Sequence, residues 1–289
     1  MFNKASELLE ICKSKNIKIS DVVIQKETNQ SGQTAEFIFD KMKETFLIME
    51  HSALEALDKE VLSVSGLTGG NAKRVEEYKN GKKTLSGVFI NSAMSKALST
   101  SEVNASMGKI CAAPTAGASG ILPSALLSAK EKLESDEETT IRGLFTAAGV
   151  GEIIAKNATV SGAEGGCQAE CGVAAAMAAA GIVEMAGGTP EMSFNAAGFA
   201  LINIMGLVCD PIAGLVEYPC GLRNASGVVN ALISADMAMA EVQSLVPFDE
   251  VVDALYKVGK ALPESLRETA LGGIAATPTG KELSRRLYS

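Results

Sequence analysis

Residues Ala169–Met185 read AECGVAAAMAAAGIVEM, a run of small and aliphatic side chains interrupted by two glutamates. The run predicts a helix that ends at the glycine pair Gly187 and Gly188. A helix that is apolar on every side is buried on every side. Because small side chains let neighbouring backbones approach closely, the stretch predicts the centre of an all-α fold with a buried alanine- and glycine-rich core.

Helical patterns continue on both sides of this stretch. No run of alternating strand residues and no internal repeat interrupts them. We therefore predict one compact, all-helical domain over residues 1–289. The predicted helices outside the central stretch include Thr34–Asp58, Val88–Asn104, Ile121–Lys130, Thr139–Ala155, Ser226–Val246 and Glu264–Leu271.

Two helix starts carry capping signals. Thr189 followed by Pro190 predicts a helix that runs on to Cys209, where Asp210 and Pro211 stop it. Ser135 and Glu138 have the spacing of a capping box for the helix Thr139–Ala155.

Composition excludes several classes of protein. Of the 289 residues 47% are hydrophobic and 21% charged, which is typical of a globular chain. The net charge of −8 argues against nucleic acid as a partner. The longest apolar runs are too short or too interrupted to span a membrane. Residues 1–20 lack the apolar core of a signal peptide, so we expect a cytoplasmic protein with reduced cysteines.

Three of the six cysteines stand at predicted element ends, namely Cys167, Cys209 and Cys220. There a thiol can point into a cavity and backbone N–H groups can donate to the sulfur. Cys12 is expected in the core and Cys111 beside a turn, whereas Cys171 follows Cys167 by one helical turn. From the spacing alone, a metal or cluster site and a set of buried thiols remain equal alternatives.

The other signals are weaker. Ser65–Gly70 (SGLTGG) and Cys111–Gly120 (CAAPTAGASG) combine glycines with hydroxyls, as loops that bind anions do, although ordinary turns have the same composition. The lone histidine, His51, cannot support a His-rich metal site, and a buried or capping role is favoured over catalysis.

Four motifs stand out in the chain: Gly162–Glu170 (GAEGGCQAE), the Cys111–Pro123 turn, Ser65–Gly70 and Pro219–Asn224 (PCGLRN). Together they resemble a known family, the α chain of iron–sulfur-dependent L-serine dehydratase, which implies that the single domain is catalytic and that this chain has no separate β-type domain. The resemblance runs in order from Phe2 to about Arg286, so it covers nearly the whole chain.

The resemblance implies an enzyme that removes water from L-serine to give pyruvate and ammonia, without pyridoxal phosphate. It implies a [4Fe–4S] cluster held by Cys167, Cys209 and Cys220, with one iron left open as a Lewis acid. Cys171 is then a packing residue, since a fourth thiolate would occupy that iron. The substrate carboxylate is assigned to the two glycine–hydroxyl loops, as a set: Ser65, Thr68, Gly69, Thr115, Gly117, Ser119 and Gly120.

The general base is missing from this chain. The resemblance implies a β subunit whose Ser-Ser-His-Thr motif offers a histidine, and no such motif is present here. A hydroxyl or lysine of this chain is the alternative; we favour the β partner. The chain ends in Leu287-Tyr288-Ser289, without a cysteine to cover the open iron, so an oxygen-sensitive cluster is expected.

Two other functions remain open at this stage. A related cluster-dependent lyase acting on L-threonine or L-cysteine would carry the same motifs, because a single methyl discriminates by only about 1–3 kcal/mol. A non-catalytic helical scaffold with a structural zinc is the other alternative. It accounts less well for the glycine–hydroxyl loops.

Overall fold

The computed structural model describes residues 2–81 and 83–289, and within them the fold consists of helices and their connections. The α-helices are α1 Ala5–Lys15, α2 Ile19–Ser31, α3 Ala35–Leu54, α4 Asn71–Gly81, α5 Gly87–Ala105, α6 Ile121–Leu133, α7 Glu137–Asn157, α8 Gly162–Gly165, α9 Val173–Met185, α10 Pro190–Asn203, α11 Cys220–Met239, α12 Phe248–Ala261 and α13 Pro278–Tyr288. Four short 3₁₀ turns join them at Ala116–Ala118, Ile212–Gly214, Glu264–Leu266 and Gly273–Ala276.

Helix α9 is the centre of the bundle. All of its residues are buried, and it packs against α6, α7, α10 and α11. The closest approach is to α7, where a Cβ placed on Gly181 would lie 2.6 Å from the carbonyl oxygen of Gly143. One main core draws on helices from α1 to α12, and a small satellite lies beneath α4. The predicted all-α domain with an alanine- and glycine-rich centre is confirmed.

The run before α9 differs from the prediction. Residues Gln168–Gly172 form a π-helical turn, here called the π turn, so Ala169–Met185 is not one regular α-helix. Insertions of this kind are frequent at functional sites.

The helix predicted to reach Cys209 ends at Asn203. Past it, Gly206 has a φ of 92° and gives its N–H to Gln168 Oε1 of the π turn (2.8 Å), which takes the chain out of the helical path. The next helix, α11, starts at Cys220, earlier than the predicted Ser226.

Of the other predicted details, one is confirmed and three are wrong. Thr189 caps α10 by accepting from the Met192 N–H (3.2 Å), as predicted. Asp136, and not Ser135, caps α7, because its carboxylate accepts from Thr139 N (2.8 Å). The predicted helix Glu264–Leu271 is only a 3₁₀ turn, since the chain there bonds to Cys209 instead. His51 is exposed on α3 beside Glu55, so it is not buried.

Across the described ranges, no helix has both the length and the apolar character needed to cross a membrane.

Candidate active site

Three cysteines lie where separate elements begin or end. Cys167 directly precedes the π turn, Cys209 lies in the irregular segment after α10, and Cys220 is the first residue of α11. Cys167 and Cys209 are buried and Cys220 is partly exposed. Burial raises the pKa of Cys209 and Cys220, the latter to about 12, and the nearby Cys167 charge raises both further. Both thiols therefore lie within electrostatic range of Cys167.

Cys167 differs from the other two because its neighbours lower its pKa. Its sulfur shares a hydrogen bond with Cys171 Sγ at 3.3 Å. That bond, and then the positive charge of Arg223, lower the pKa of Cys167. Arg223 is held in place by Asp210 Oδ1 (2.6 Å) and the Val208 carbonyl oxygen (2.8 Å). A fixed cation thus lies beside one buried thiol.

Glu170, on the π turn, is a buried carboxylate among the site residues. Its Oε1 accepts from the Thr115 hydroxyl at 2.6 Å, and its Oε2 lies 3.8 Å from Cys209 Sγ. Burial raises its pKa above the ordinary carboxyl value. The lack of a side chain at Gly162 leaves room for the Glu170 carboxylate, because a Cβ on Gly162 would lie 2.5 Å from Glu170 Oε2 and 3.1 Å from Cys209 Sγ.

Asn224 holds the Thr115 loop against α11. Its Nδ2 donates to the Gly117 carbonyl oxygen (2.7 Å), and its Oδ1 accepts from Gly120 N–H (2.9 Å). The Ser119 hydroxyl donates within its own turn to the Ala116 carbonyl oxygen (2.7 Å). Thr115 and Gly117 thus lie against Glu170, while Ser119 and Gly120 use their polar groups to hold the turn.

The Ser65–Gly70 loop already contacts a carboxylate of this chain. Ser65 Oγ and Thr68 Oγ1 both donate to Glu217 Oε2, at 2.7 and 3.3 Å. Glu217 stands three residues before Cys220. Gly69 packs against the backbone of Val61 and Leu62, since a Cβ on Gly69 would lie 2.6 Å from the Val61 carbonyl oxygen. Through Glu217 the structure joins this loop to the segment that carries Cys220.

Residues 264–276, here called the strap, form hydrogen bonds with Cys209 and Asp210. The Cys209 N–H donates to the Leu266 carbonyl oxygen (2.9 Å), and its carbonyl accepts from Glu268 N–H (2.7 Å). Asp210 Oδ2 accepts from Ile274 N–H at 2.7 Å. Beyond the strap, the Tyr288 hydroxyl of α13 donates to the Ala213 carbonyl oxygen (2.9 Å), between Cys209 and Cys220.

Comparison with known proteins identifies the family. Residues 14–275 match the family model described as "Serine dehydratase alpha chain". This chain belongs to that family. It is 53% identical to the "Probable L-serine dehydratase, alpha chain" of Bacillus subtilis, over 100% of this chain and 96% of that one. It is also 53% identical to the "L-serine dehydratase, alpha chain" of Peptoniphilus asaccharolyticus, over 99% of this chain and 98% of the relative.

A longer relative of this serine dehydratase alpha chain is also known. The "L-serine dehydratase" of Helicobacter pylori is 37% identical over 96% of this chain, but the match covers only 62% of that protein. That relative therefore carries further sequence outside the matched part.

The thiols of this alpha chain fit an iron–sulfur cluster by their chemistry. Thiolates are the donors that such clusters use, and Arg223 offers a positive charge to offset theirs. Within residues 2–81 and 83–289, no group of three or more His, Cys, Asp or Glu side chains is close enough to share one metal ion. The predicted ligand set of Cys167, Cys209 and Cys220 stays a prediction.

Four residues of the site were not predicted from the sequence: Glu170, Arg223, Glu217 and Asn224. Glu170, Arg223 and Asn224 lie inside the motifs that carried the family resemblance, so these motifs held the signal. The signal for Glu170 is a carboxylate within an otherwise apolar run. Two of the other cysteines lie as expected: Cys12 is buried in the core, and Cys111 is half-buried. Cys171 is buried against Cys167.

Proposed function

We propose that this serine dehydratase alpha chain is the cluster-bearing catalytic subunit of an L-serine ammonia-lyase, which eliminates water from L-serine to give pyruvate and ammonia. The observation that carries the proposal is the set of polar contacts around two of the three cysteines: Cys209 Sγ lies 3.8 Å from Glu170 Oε2, and Arg223 places its charge beside Cys167. The names of the full-length relatives support the same reaction. The subunit is assigned to the cytoplasm, where thiols stay reduced.

The three cysteines would hold a [4Fe–4S] cluster, and no pyridoxal phosphate is required. When bound, a cluster with three protein thiolates supplies one Lewis-acidic iron for the substrate hydroxyl. Cys171 is left out of the ligand set. Arg223, fixed by Asp210, places positive charge beside Cys167 and so favours its thiolate form.

The two loops would bind the α-carboxylate of the substrate. Ser65 and Thr68 already donate to the carboxylate of Glu217, so their hydroxyls are oriented for such a group. In this proposal the substrate carboxylate takes the place of Glu217. Gly69 and the Thr115 loop residues Gly117, Ser119 and Gly120 complete the set, with Ser119 and Gly120 acting through the shape of the turn.

Glu170 would position Thr115. The short bond between them, at 2.6 Å, fixes the Thr115 hydroxyl at the edge of the thiol site. Its other oxygen lies against Cys209, so one side chain sets the distance between the Thr115 loop and a proposed ligand. Asn224 would position the backbone of Gly117 and Gly120 through the two hydrogen bonds of its side chain.

A β subunit would supply the general base. The names of the relatives as alpha chains imply a second chain, and the longer Helicobacter pylori relative has additional sequence outside the match. The β subunit would place its base next to the substrate and complete the reaction. The proposal therefore assigns substrate binding and the cluster to this chain and proton removal to its partner.

The test begins with anaerobic purification and measurement of iron, sulfide and zinc. We expect iron and sulfide with visible absorbance that bleaches in air, and pyruvate formation from L-serine only after the β subunit is added. L-Threonine and L-cysteine are assayed side by side, and we expect L-serine to have the largest kcat/KM.

Each part of the proposal has its own contradicting result. Stoichiometric zinc without iron would support the scaffold alternative. Full activity of the alpha chain alone would rule out a base from β. A larger kcat/KM for L-threonine or L-cysteine would change the assigned substrate, while leaving the cluster assignment intact.

A further inference from the structure

Cys171 is a buried thiol that the proposed reaction does not use. We propose that Cys171 and Cys167 form a reversible disulfide when the cluster is absent, by exchange with a low-molecular-weight disulfide that enters through a cavity between α10 and α11. The disulfide itself depends on the thiol geometry alone. Its effect on the cluster rests on the function proposed above.

The two sulfurs are already in contact. Cys167 Sγ and Cys171 Sγ are 3.3 Å apart. Cys167 directly precedes the π turn, and Cys171 lies within it, four positions later in the sequence. A disulfide brings its sulfurs to about 2.05 Å, so closure needs a movement of little more than 1 Å. Cys209 faces the Glu170 carboxylate instead, 3.8 Å away. The structure thus favours one partner for Cys167.

A cavity leads from the surface to Cys171. It has a volume of about 310 Å³, Cys171 is part of its lining, and Asn203 is exposed at its edge. Arg223 and Ser226 line it with polar groups, and Met205 and Leu207 form an apolar part. A guanidinium and an amide suit a reagent that carries carboxylates, as oxidised glutathione does.

The exchange balances without a further reactant. The Cys171 sulfur attacks the reagent disulfide, one S–S bond breaks as another forms, and the first thiol leaves with the Cys171 proton. The Cys167 sulfur then attacks the Cys171 sulfur and displaces the second thiol, which takes the Cys167 proton. Two protein thiols are oxidised, and one reagent disulfide is reduced to two thiols.

The consequence is protection of a proposed ligand. A thiol in a disulfide does not proceed to sulfinic acid, which most proteins cannot reverse. Cys167 is also withheld from iron until a reductant reopens the bond. The pair would therefore preserve the cluster-free alpha chain under oxidation and delay reloading until reducing conditions return.

The test uses the full cluster-free chain, oxidised with glutathione disulfide, alkylated and digested with a protease that cleaves after glutamate. Cleavage at Glu164, Glu170 and Glu184 places Cys167 on peptide 165–170 and Cys171 on peptide 171–184. Cys209 and Cys220 fall on 192–217 and 218–241. We expect a linked 165–170/171–184 pair that dithiothreitol separates, with Cys209 and Cys220 alkylated.

Two variants provide the controls. Cys171→Ser should abolish the linked peptide, and the matched Cys111→Ser, a cysteine outside the pair, should retain it. A linked peptide joining Cys209 to Cys220, stable glutathione adducts only, or unchanged free thiols would each overturn the proposal.

A second measurement follows the absorbance of the rebuilt cluster after iron and sulfide are added. Oxidised wild-type chain should regain less than a tenth of the absorbance until it is reduced, whereas Cys171→Ser treated in the same way should regain it directly. If no sample takes up iron, the proposed function fails while the peptide result stands. Equal reloading of oxidised and reduced wild-type chain would overturn the inferred protection.

Discussion

Helix α9 and the π turn before it are consecutive in the chain, yet different forces hold them. Val173–Met185 is buried among apolar side chains of four neighbouring helices. The π turn is held by polar bonds to distant residues: Gln168 donates to the Leu255 carbonyl (3.0 Å) and accepts from Gly206 N–H, and Glu170 accepts from Thr115. Apolar packing supplies the framework, and polar pairs position the thiols.

This difference predicts that substitutions near the π turn alter the chemistry of the site or the pairing of buried charges, whereas substitutions near α9 alter the packing of the helices. The largest expected effect is Cys209→Ser. We expect iron content and activity with the β subunit to fall to background, because a proposed ligand is lost, while the unfolding free energy of the cluster-free chain changes by less than about 1 kcal/mol. Iron analysis, activity assay and urea unfolding measure this. Full iron content in the variant would remove Cys209 from the ligand set.

The second effect concerns the buried pair of Asp210 and Arg223. Their side chains are only 3% and 13% exposed, so Asp210→Asn leaves the Arg223 charge without its partner. We expect a loss of about 3–5 kcal/mol in urea unfolding. The matched control is Asp253→Asn, which removes an exposed partner of Lys257 and should cost less than about 1 kcal/mol. Equal losses in the two variants would contradict the role given to burial.

The third effect tests close packing at α9. Gly181→Ala places a methyl group against the Gly143 carbonyl oxygen and should cost about 1–3 kcal/mol in the same measurement. Gly198→Ala in α10 is the matched control, because the nearest atom to its Cβ is 4.0 Å away. That variant should gain about 0.4–1 kcal/mol through a less flexible unfolded chain. An unchanged free energy of unfolding in Gly181→Ala would show that α7 and α9 can move apart without loss of stability.

The smallest effect is expected at Glu217. If the substrate carboxylate displaces Glu217 from Ser65 and Thr68, Glu217→Gln weakens the competing bonds and lowers the KM for L-serine by up to about tenfold, with kcat little changed. Thr68→Val should raise KM, because it removes a donor from the substrate as well. Steady-state kinetics with the β subunit measures both. A raised KM in Glu217→Gln would mean that Glu217 itself contacts the substrate.

The sequence predicted most of the framework, because helix signals are local. The apolar run of α9 and the Thr189 cap depend on residues a few positions apart, and both were found. The site depends on distant partners. Thr115 and Glu170 are 55 residues apart, and Ser65 and Glu217 are 152 apart, so no local pattern connects them. The three cysteines were singled out because neighbouring glycines and prolines mark predicted element ends, whereas the roles of Glu170 and Arg223 needed the fold.

The strap has a consequence for the order in which the molecule matures. Residues 264–276 bond to both Cys209 and Asp210, and they leave the ribosome after every proposed ligand has been made. The bundle around α9 is encoded earlier in the chain and can pack while synthesis continues. We therefore expect iron and sulfide to be delivered to a largely folded chain, with the bonds between the strap and Cys209 forming last.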